Sequence, residues 1–121
     1  MVHAHHLTAG AHALAPLVRS DGDRHDLLAR LGGALGAAVL GFCVMDTHLH
    51  VVAEGRREEI VERLEAGLFQ HTREVNRRRG LEGRLLRGPV EAFRAPSAVE
   101  LARMIRYVHE NPVKASIPLV G

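Results

Sequence analysis

The sequence predicts an α+β fold: a ferredoxin-like βαββαβ antiparallel sheet with helices on one face, plus an added C-terminal helix carrying Tyr107. Three observations predict it. Short apolar runs alternate with stretches of helical period. Turn and breaker residues separate them, among them Gly10, Pro16, Asp46-Thr47, Gly80 and Pro96. The resulting order is strand, helix, strand, strand, helix, strand, helix, and its first six elements make the split β-α-β pattern. At 121 residues the whole of 1–121 reads as a single domain.

The first strand is expected at about residues 2–9, where His3 and His5 share one face and His6 takes the other. His3 and His5 therefore form one candidate metal pair, at a chain start that is prone to fray. Ser20-Asp21-Gly22-Asp23 reads as a helix start, with carboxylates near the positive end of the dipole. Leu27, Leu28, Leu31 and Leu35 form its apolar stripe. Gly32, Gly33 and Gly36 are expected to allow close packing on the sheet or to end the helix early.

Val39 to Met45 and His48 to Ala53 read as a hairpin about Asp46-Thr47. Both strands are largely apolar, so the hairpin is expected in the middle of the sheet. Arg56 to Arg79 reads as a long helix with Ile60, Val61, Leu64, Leu68 and Val75 inside, and Gly80 suits a left-handed cap. Pro89 assigns the strand at Val90 to Arg94 to an edge. Ser97-Ala98-Val99-Glu100 has the capping-box pattern. The helix that follows is expected to run to about residue 110 and to stop before Pro112.

Composition narrows the function classes. Hydrophobic residues make up 46% of the chain, enough for a packed core. The single cysteine, Cys43, excludes an internal disulfide and suits a reducing compartment. No apolar run approaches the roughly 20 residues that cross a bilayer. No secretory signal pattern opens the chain, so a cytoplasmic location without membrane contact is expected. Between His71 and Arg94 stand Arg73, Arg77, Arg78, Arg79, Arg84, Arg87 and Arg94 against three glutamates. A basic segment on a near-neutral body points to an anionic partner, nucleic acid first. A solvated arginine-rich helix end is the plainer alternative.

Within Phe42-Cys43-Val44-Met45-Asp46-Thr47-His48-Leu49-His50-Val51-Val52, His48 and His50 lie two apart on a strand. Their side chains therefore share a face, while Leu49 takes the other. Two imidazoles so placed can share a metal ion, or can simply be packed or solvated. In the last helix, Leu101, Met104, Ile105 and Val108 form the core stripe. Tyr107 and Asn111 fall together on one flank of that stripe, four residues apart. Tyr107 is the only tyrosine of the chain.

The segment Arg106-Tyr107-Val108-His109-Glu110-Asn111-Pro112-Val113-Lys114-Ala115 closely resembles the Tyr-Ile-His-x-Asn-Pro-Val-Arg-Ala signature of REP-associated tyrosine transposases. Those proteins fall within the broader group of single-tyrosine HUH transposases. Met45-Asp46-Thr47-His48-Leu49-His50 resembles the family's Met-Pro-Asn-His-x-His, with Asp46-Thr47 in place of Pro-Asn. The stretch from Val75 to Gly88 resembles its Asn-Arg-Arg-x-Gly and Gly-x-Leu-x-x-x-Arg segments. The resemblance spans about residues 5 to 117, with the motifs in the family's order. Pro89-Val90-Glu91 departs from it by placing an acid where the family is often basic.

The resemblance implies a metal-dependent endonuclease and strand transferase for single-stranded or hairpin DNA. His48, His50 and Asn111 would hold a divalent cation, Mg²⁺ or Mn²⁺. Tyr107 would attack the scissile phosphate and form a 5′-phosphotyrosine. Arg73, Arg77, Arg78, Arg79, Arg84 and Arg87 would hold backbone phosphates. Such proteins act as a monomer or a homodimer. Two alternatives stay open: a domesticated DNA-binding module of the same fold without catalysis, and a metal- or ligand-binding domain with no nucleic-acid partner. Asp46-Thr47, Pro89-Val90-Glu91 and an end at Gly121 soon after the signature are the departures from the family pattern, and they are expected to bear on activity and DNA choice more than on fold.

Overall fold

The computed structural model describes residues 3–12 and 14–120, the last ten of these by backbone alone. Its elements are β1 (His3–Gly10), α1 (Asp21–Leu35), β2 (Val39–Val44), β3 (His48–Gly55), α2 (Arg57–Arg79), β4 (Glu91–Arg94) and α3 (Ala98–Val120). A short 3-10 turn, Gly36–Ala38, leads into β2. The four strands form one antiparallel sheet in the order β2-β3-β1-β4.

This order corrects one expectation. The β2–β3 hairpin is not in the middle of the sheet: β3 and β1 are central, and β2 is an edge. The apolar residues of β2 are divided: Val39 and Val44 pack on the core beneath α1 and α2, Leu40 and Phe42 stay partly exposed, and α3 lies against the face of Gly41 and Cys43. A Cβ at Gly41 would meet His109 Nε2 at 3.3 Å and Ile105 Cγ2 at 3.7 Å, so the helix approaches the strand at this glycine. Cys43 packs with Val108 and Ile105. β4, which follows Pro89, is the other edge, as expected.

The sheet is covered on both faces. Leu7, Ala9, Leu49, Val51 and Ala53 pack beneath Leu27, Leu31 and Leu35 of α1 and Ile60, Leu64, Leu68 and Val75 of α2. On the opposite face Cys43 and Val52 meet Val108, with Leu101, Met104 and Ile105 beside them. Burying a Val or Leu side chain stabilises by roughly 1.5–3 kcal/mol, so each alternate residue of β3 is anchored from its own side.

Local signals hold at the helix ends. Ser20 Oγ accepts from the Asp23 amide at 3.1 Å and caps α1. Gly80, at φ 67°, closes α2 in the left-handed conformation. Ser97 Oγ accepts from the Glu100 amide at 3.2 Å. The close approach expected at Gly32 and Gly33 occurs elsewhere. A Cβ at either would meet nothing within 4 Å, whereas one at Gly67 of α2 would meet the Arg30 carbonyl oxygen at 3.2 Å and Ala34 Cβ at 3.3 Å. Gly67 is thus where the two helices touch. The stop before Pro112 is also corrected, since α3 continues to Val120. The bias against helix before proline is a preference, and the backbone crosses it with the loss of one amide donor.

Two buried polar groups tie the helices together. His71 is fully buried, with Nδ1 2.8 Å from Asp26 Oδ2 and Nε2 donating to the Leu17 carbonyl at 2.9 Å. Asp23 accepts from the Arg19 amide at 2.9 Å and from Arg79 Nη2 at 2.8 Å, with Arg78 Nη2 at 3.4 Å. Arg79 also donates to the Pro16 carbonyl at 2.6 Å. The start of α1, the end of α2 and the loop after β1 therefore meet at one carboxylate.

That carboxylate should dominate the acid sensitivity of the fold. Burial pushes the Asp23 carboxyl up, but the Arg79 hydrogen bond, the Arg19 amide and the neighbouring arginine charges outweigh it and hold it below the usual carboxylate range. Its folded value is depressed, so its stabilisation is complete above the unfolded value of about 3.9 and fades as pH falls through the folded one. Asp23→Ala leaves Arg79 buried without its partner and should destabilise by about 3 kcal/mol at neutral pH. Chemical denaturation at pH 7 and again near pH 3 measures it. The gap between wild type and variant should narrow in acid, and an equal gap at both would remove Asp23 from this role.

Candidate metal and tyrosine site

The site grows from the alternation of β3. Leu49 and Val51 enter the core under α1 and α2, so His48 and His50 emerge on the face that α3 partly covers. Their rings stack with centroids 6.3 Å apart and planes 17° from parallel. Register sets what stands beside them: Gly10 opposes His48 and Thr8 opposes His50 across β1. His6, two residues before Thr8, shares that face. Its Nε2 lies 3.1 Å from His50 Nδ1.

Tyr107 closes the cluster from α3. Its ring meets His50 edge-on at 6.1 Å and His6 at 5.9 Å. It remains 44% exposed, while the next residue, Val108, is fully buried. This is the border position that the helix wheel predicts. Phe93 of β4 stands 6.4 Å from His6 on the other side.

The hydrogen bonds select one tautomer of the His48 ring. A guanidinium only donates, and Arg87 Nη2 lies 2.9 Å from His48 Nε2. Nε2 is therefore the acceptor, and Nδ1–H donates to Thr47 Oγ1 at 2.9 Å. Thr47, which stands where the related motif has asparagine, thus orients the ring. Burial, with the neighbouring His6 and His48, pushes His50 down to about 4, and burial also lowers His6. His50 is therefore neutral at pH 7.

This donor set fits a divalent cation in part. His48 and His50 each have Nδ1 engaged by a neighbour, the arrangement that orients metal-ligating histidines. One nitrogen on each ring remains for a ligand, and on His48 it is the atom that Arg87 contacts. Glu91, paired with Thr8, brings a carboxylate to the same open recess of about 440 Å³. Among the described residues, no three His, Cys, Asp or Glu side chains are gathered closely enough to hold a metal. The side chain of Asn111, the expected third ligand, lies outside the described residues.

The other expected residues divide. Arg87 reaches the histidines; its amide donates to the Gly10 carbonyl at 2.9 Å, and a Cβ at Gly10 would stand 2.8 Å from Arg87 Nη2. Arg73 lies over the Phe69 ring at 5.6 Å, and Arg84 lines a recess nearby. Arg77 is exposed and bound to Glu74 at 2.6 Å. Arg78 reaches both Glu74 and Asp23 at 3.4 Å. Arg79 is only 11% exposed on its side chain and is committed to Asp23.

Sequence reasoning passed over His6 in favour of His3 and His5. His5 is buried on the opposite side of β1, and burial first, then nearby positive groups, lowers its pKa. Alternation had already separated His6 from His3 and His5. Only the β1–β3 register shows that His6 is the one on the His50 face.

No protein-family model and no curated protein sequence matches the chain. A solved structure does: a REP-associated tyrosine transposase bound to a REP hairpin superposes with a TM-score of 0.65. The match covers 93% of this chain and 68% of that one at 12% sequence identity. The chain therefore has the fold of that transposase, a four-stranded antiparallel sheet with three helices.

Proposed function

We propose that the chain is a metal-dependent endonuclease and strand transferase for single-stranded or hairpin DNA, with Tyr107 as nucleophile. The observation that carries this is the meeting of Tyr107 with His6 and His50, beside the same-face partner His48. The sheet order is that of the ferredoxin-like class, and the solved structure of like fold is itself bound to a DNA hairpin.

In this reading the Tyr107 oxygen attacks the scissile phosphorus, forming a 5′-phosphotyrosine and releasing a 3′-hydroxyl. The covalent link conserves the phosphodiester for rejoining. Mg²⁺ or Mn²⁺ held by His48, His50 and Asn111 would neutralise phosphate charge and favour the phenolate. Thr47 and His6 keep the two histidine rings in place through their Nδ1 atoms. Arg87 leaves His48 and turns to the phosphate. Arg73, Arg77, Arg78 and Arg84 bind the backbone along the strand, while Arg79 acts through the fold. The partner is DNA, and the working unit is a monomer or a homodimer. Among the described residues, no helix is long and apolar enough to cross a membrane.

One observation favours a second reading. The Arg87 guanidinium stands at His48 Nε2, where the cation would bind. A DNA-binding module without catalysis would keep that internal contact permanently.

Manganese titration separates the two. Wild type should bind Mn²⁺, and His48→Ala/His50→Ala should not. Arg87→Ala should bind it more tightly, because Nε2 is released. His6→Ala, which frees the His50 ring, should weaken binding about 10–100-fold. Equal binding by wild type and the double variant sinks the metal site.

Tyr107→Phe should fold and bind DNA like wild type, since it removes one oxygen from a half-exposed ring. With Mn²⁺ and hairpin-bearing single strands, wild type should yield a protein–DNA adduct that survives denaturing electrophoresis. The variant should yield none. An adduct in the variant would refute the assignment of the nucleophile, because no second tyrosine is present.

A further inference from the structure

A second recess lies between the C-terminal half of α2 and the segment before β4. It measures about 380 Å³, within the roughly 300–1,000 Å³ of small-ligand sites. Phe69, Leu85, Leu86 and Pro89 supply its apolar walls, and Arg73 and Arg84 its cationic groups. Phe69 is 60% exposed, with the Arg73 guanidinium carbon 5.6 Å from its ring centroid. The opposite wall is held in place: Asn76 Nδ2 donates to the Gly83 carbonyl at 3.0 Å, and the Val90 amide donates to Glu65 Oε2 at 3.2 Å. Ala11 and Leu86 form a bridge from the end of β1.

We propose that this recess binds one unstacked base of the same DNA strand whose phosphate lies at the histidines. Three features select a base over other occupants. An exposed aromatic ring with apolar walls suits the π-face that every base offers. The Glu65 carboxylate in the lining repels a phosphate from the interior, whereas Arg73 and Arg84 attract phosphates on either side of the base. Finally, Gly88 and Pro89 line both this recess and the one holding His48, His50 and Arg87, so a single strand can pass from one to the other. The inference deepens the nuclease reading and rests on it for the strand's path. It does not depend on Tyr107 being reactive.

The test compares a short oligothymidylate with an abasic strand of equal length, by fluorescence anisotropy at low salt. Base stacking on one aromatic contributes about tenfold in affinity. Wild type should prefer the base-bearing strand. Phe69→Ala should lose about tenfold on that strand and nothing on the abasic one. Phe69→Tyr should keep the preference, and Arg84→Ala should weaken both strands. Circular dichroism confirms that the exposed substitutions leave the fold intact. If Phe69→Ala binds both strands as wild type does, the base site is refuted while the Tyr107 adduct can still form. Equal weakening on both strands would also refute it, since the recess would then serve the backbone only. Failure of wild type to bind either strand would overturn this site and the DNA-directed function together.

Discussion

β3 is covered on both faces by different helices, and the site depends on that double cover. One side of the strand sends Leu49, Val51 and Ala53 into the core beneath α1 and α2. The other sends Val52 against Val108 of α3 and leaves His48 and His50 nearer the open end. A slip of one residue would exchange the faces and drive two imidazoles into the apolar core. The burial of Leu49 and Val51 thus holds the histidines in position. Because Val108 is packed against this same face, its neighbour Tyr107 is carried to the rings of His6 and His50.

The arginines serve two different purposes. Arg79 and Asp23 bind the start of α1 to the end of α2, and Pro16 brings the loop after β1 into the same contact. That loop bonds to the β2–β3 turn through the Val18 amide and the Asp46 carbonyl at 3.1 Å, and the Ala11 amide donates to the Thr47 carbonyl at 2.8 Å. The buried ion pair therefore supports the turn from which His48 departs. Arg87 belongs to the site itself, where the absence of a side chain at Gly10 lets the guanidinium lie over the strand. Arg73 and Arg84 flank a recess beyond it.

This environment keeps the His50 imidazole neutral. His50 is depressed by burial and by the histidines on either side, and its Nδ1 faces His6. The Arg87 guanidinium, by contrast, lies at the exposed margin of the cluster, 2.9 Å from His48 Nε2.

By itself the sequence determined the local features. The order of strands and helices, the caps at Ser20, Gly80 and Ser97, the common face of His48 and His50, and the border position of Tyr107 all follow from periodicity and from hydrogen bonds a few residues long. Tertiary structure decided what depends on pairings distant along the chain. The β1–β3 register chose His6 over His3 and His5. Strand order made β2 an edge and set Cys43 against α3. Burial separated Arg79 from an arginine run that looks uniform along the helix. Periodicity tells which residues share a face; which element covers that face depends on contacts between segments far apart in sequence, and no local pattern encodes them.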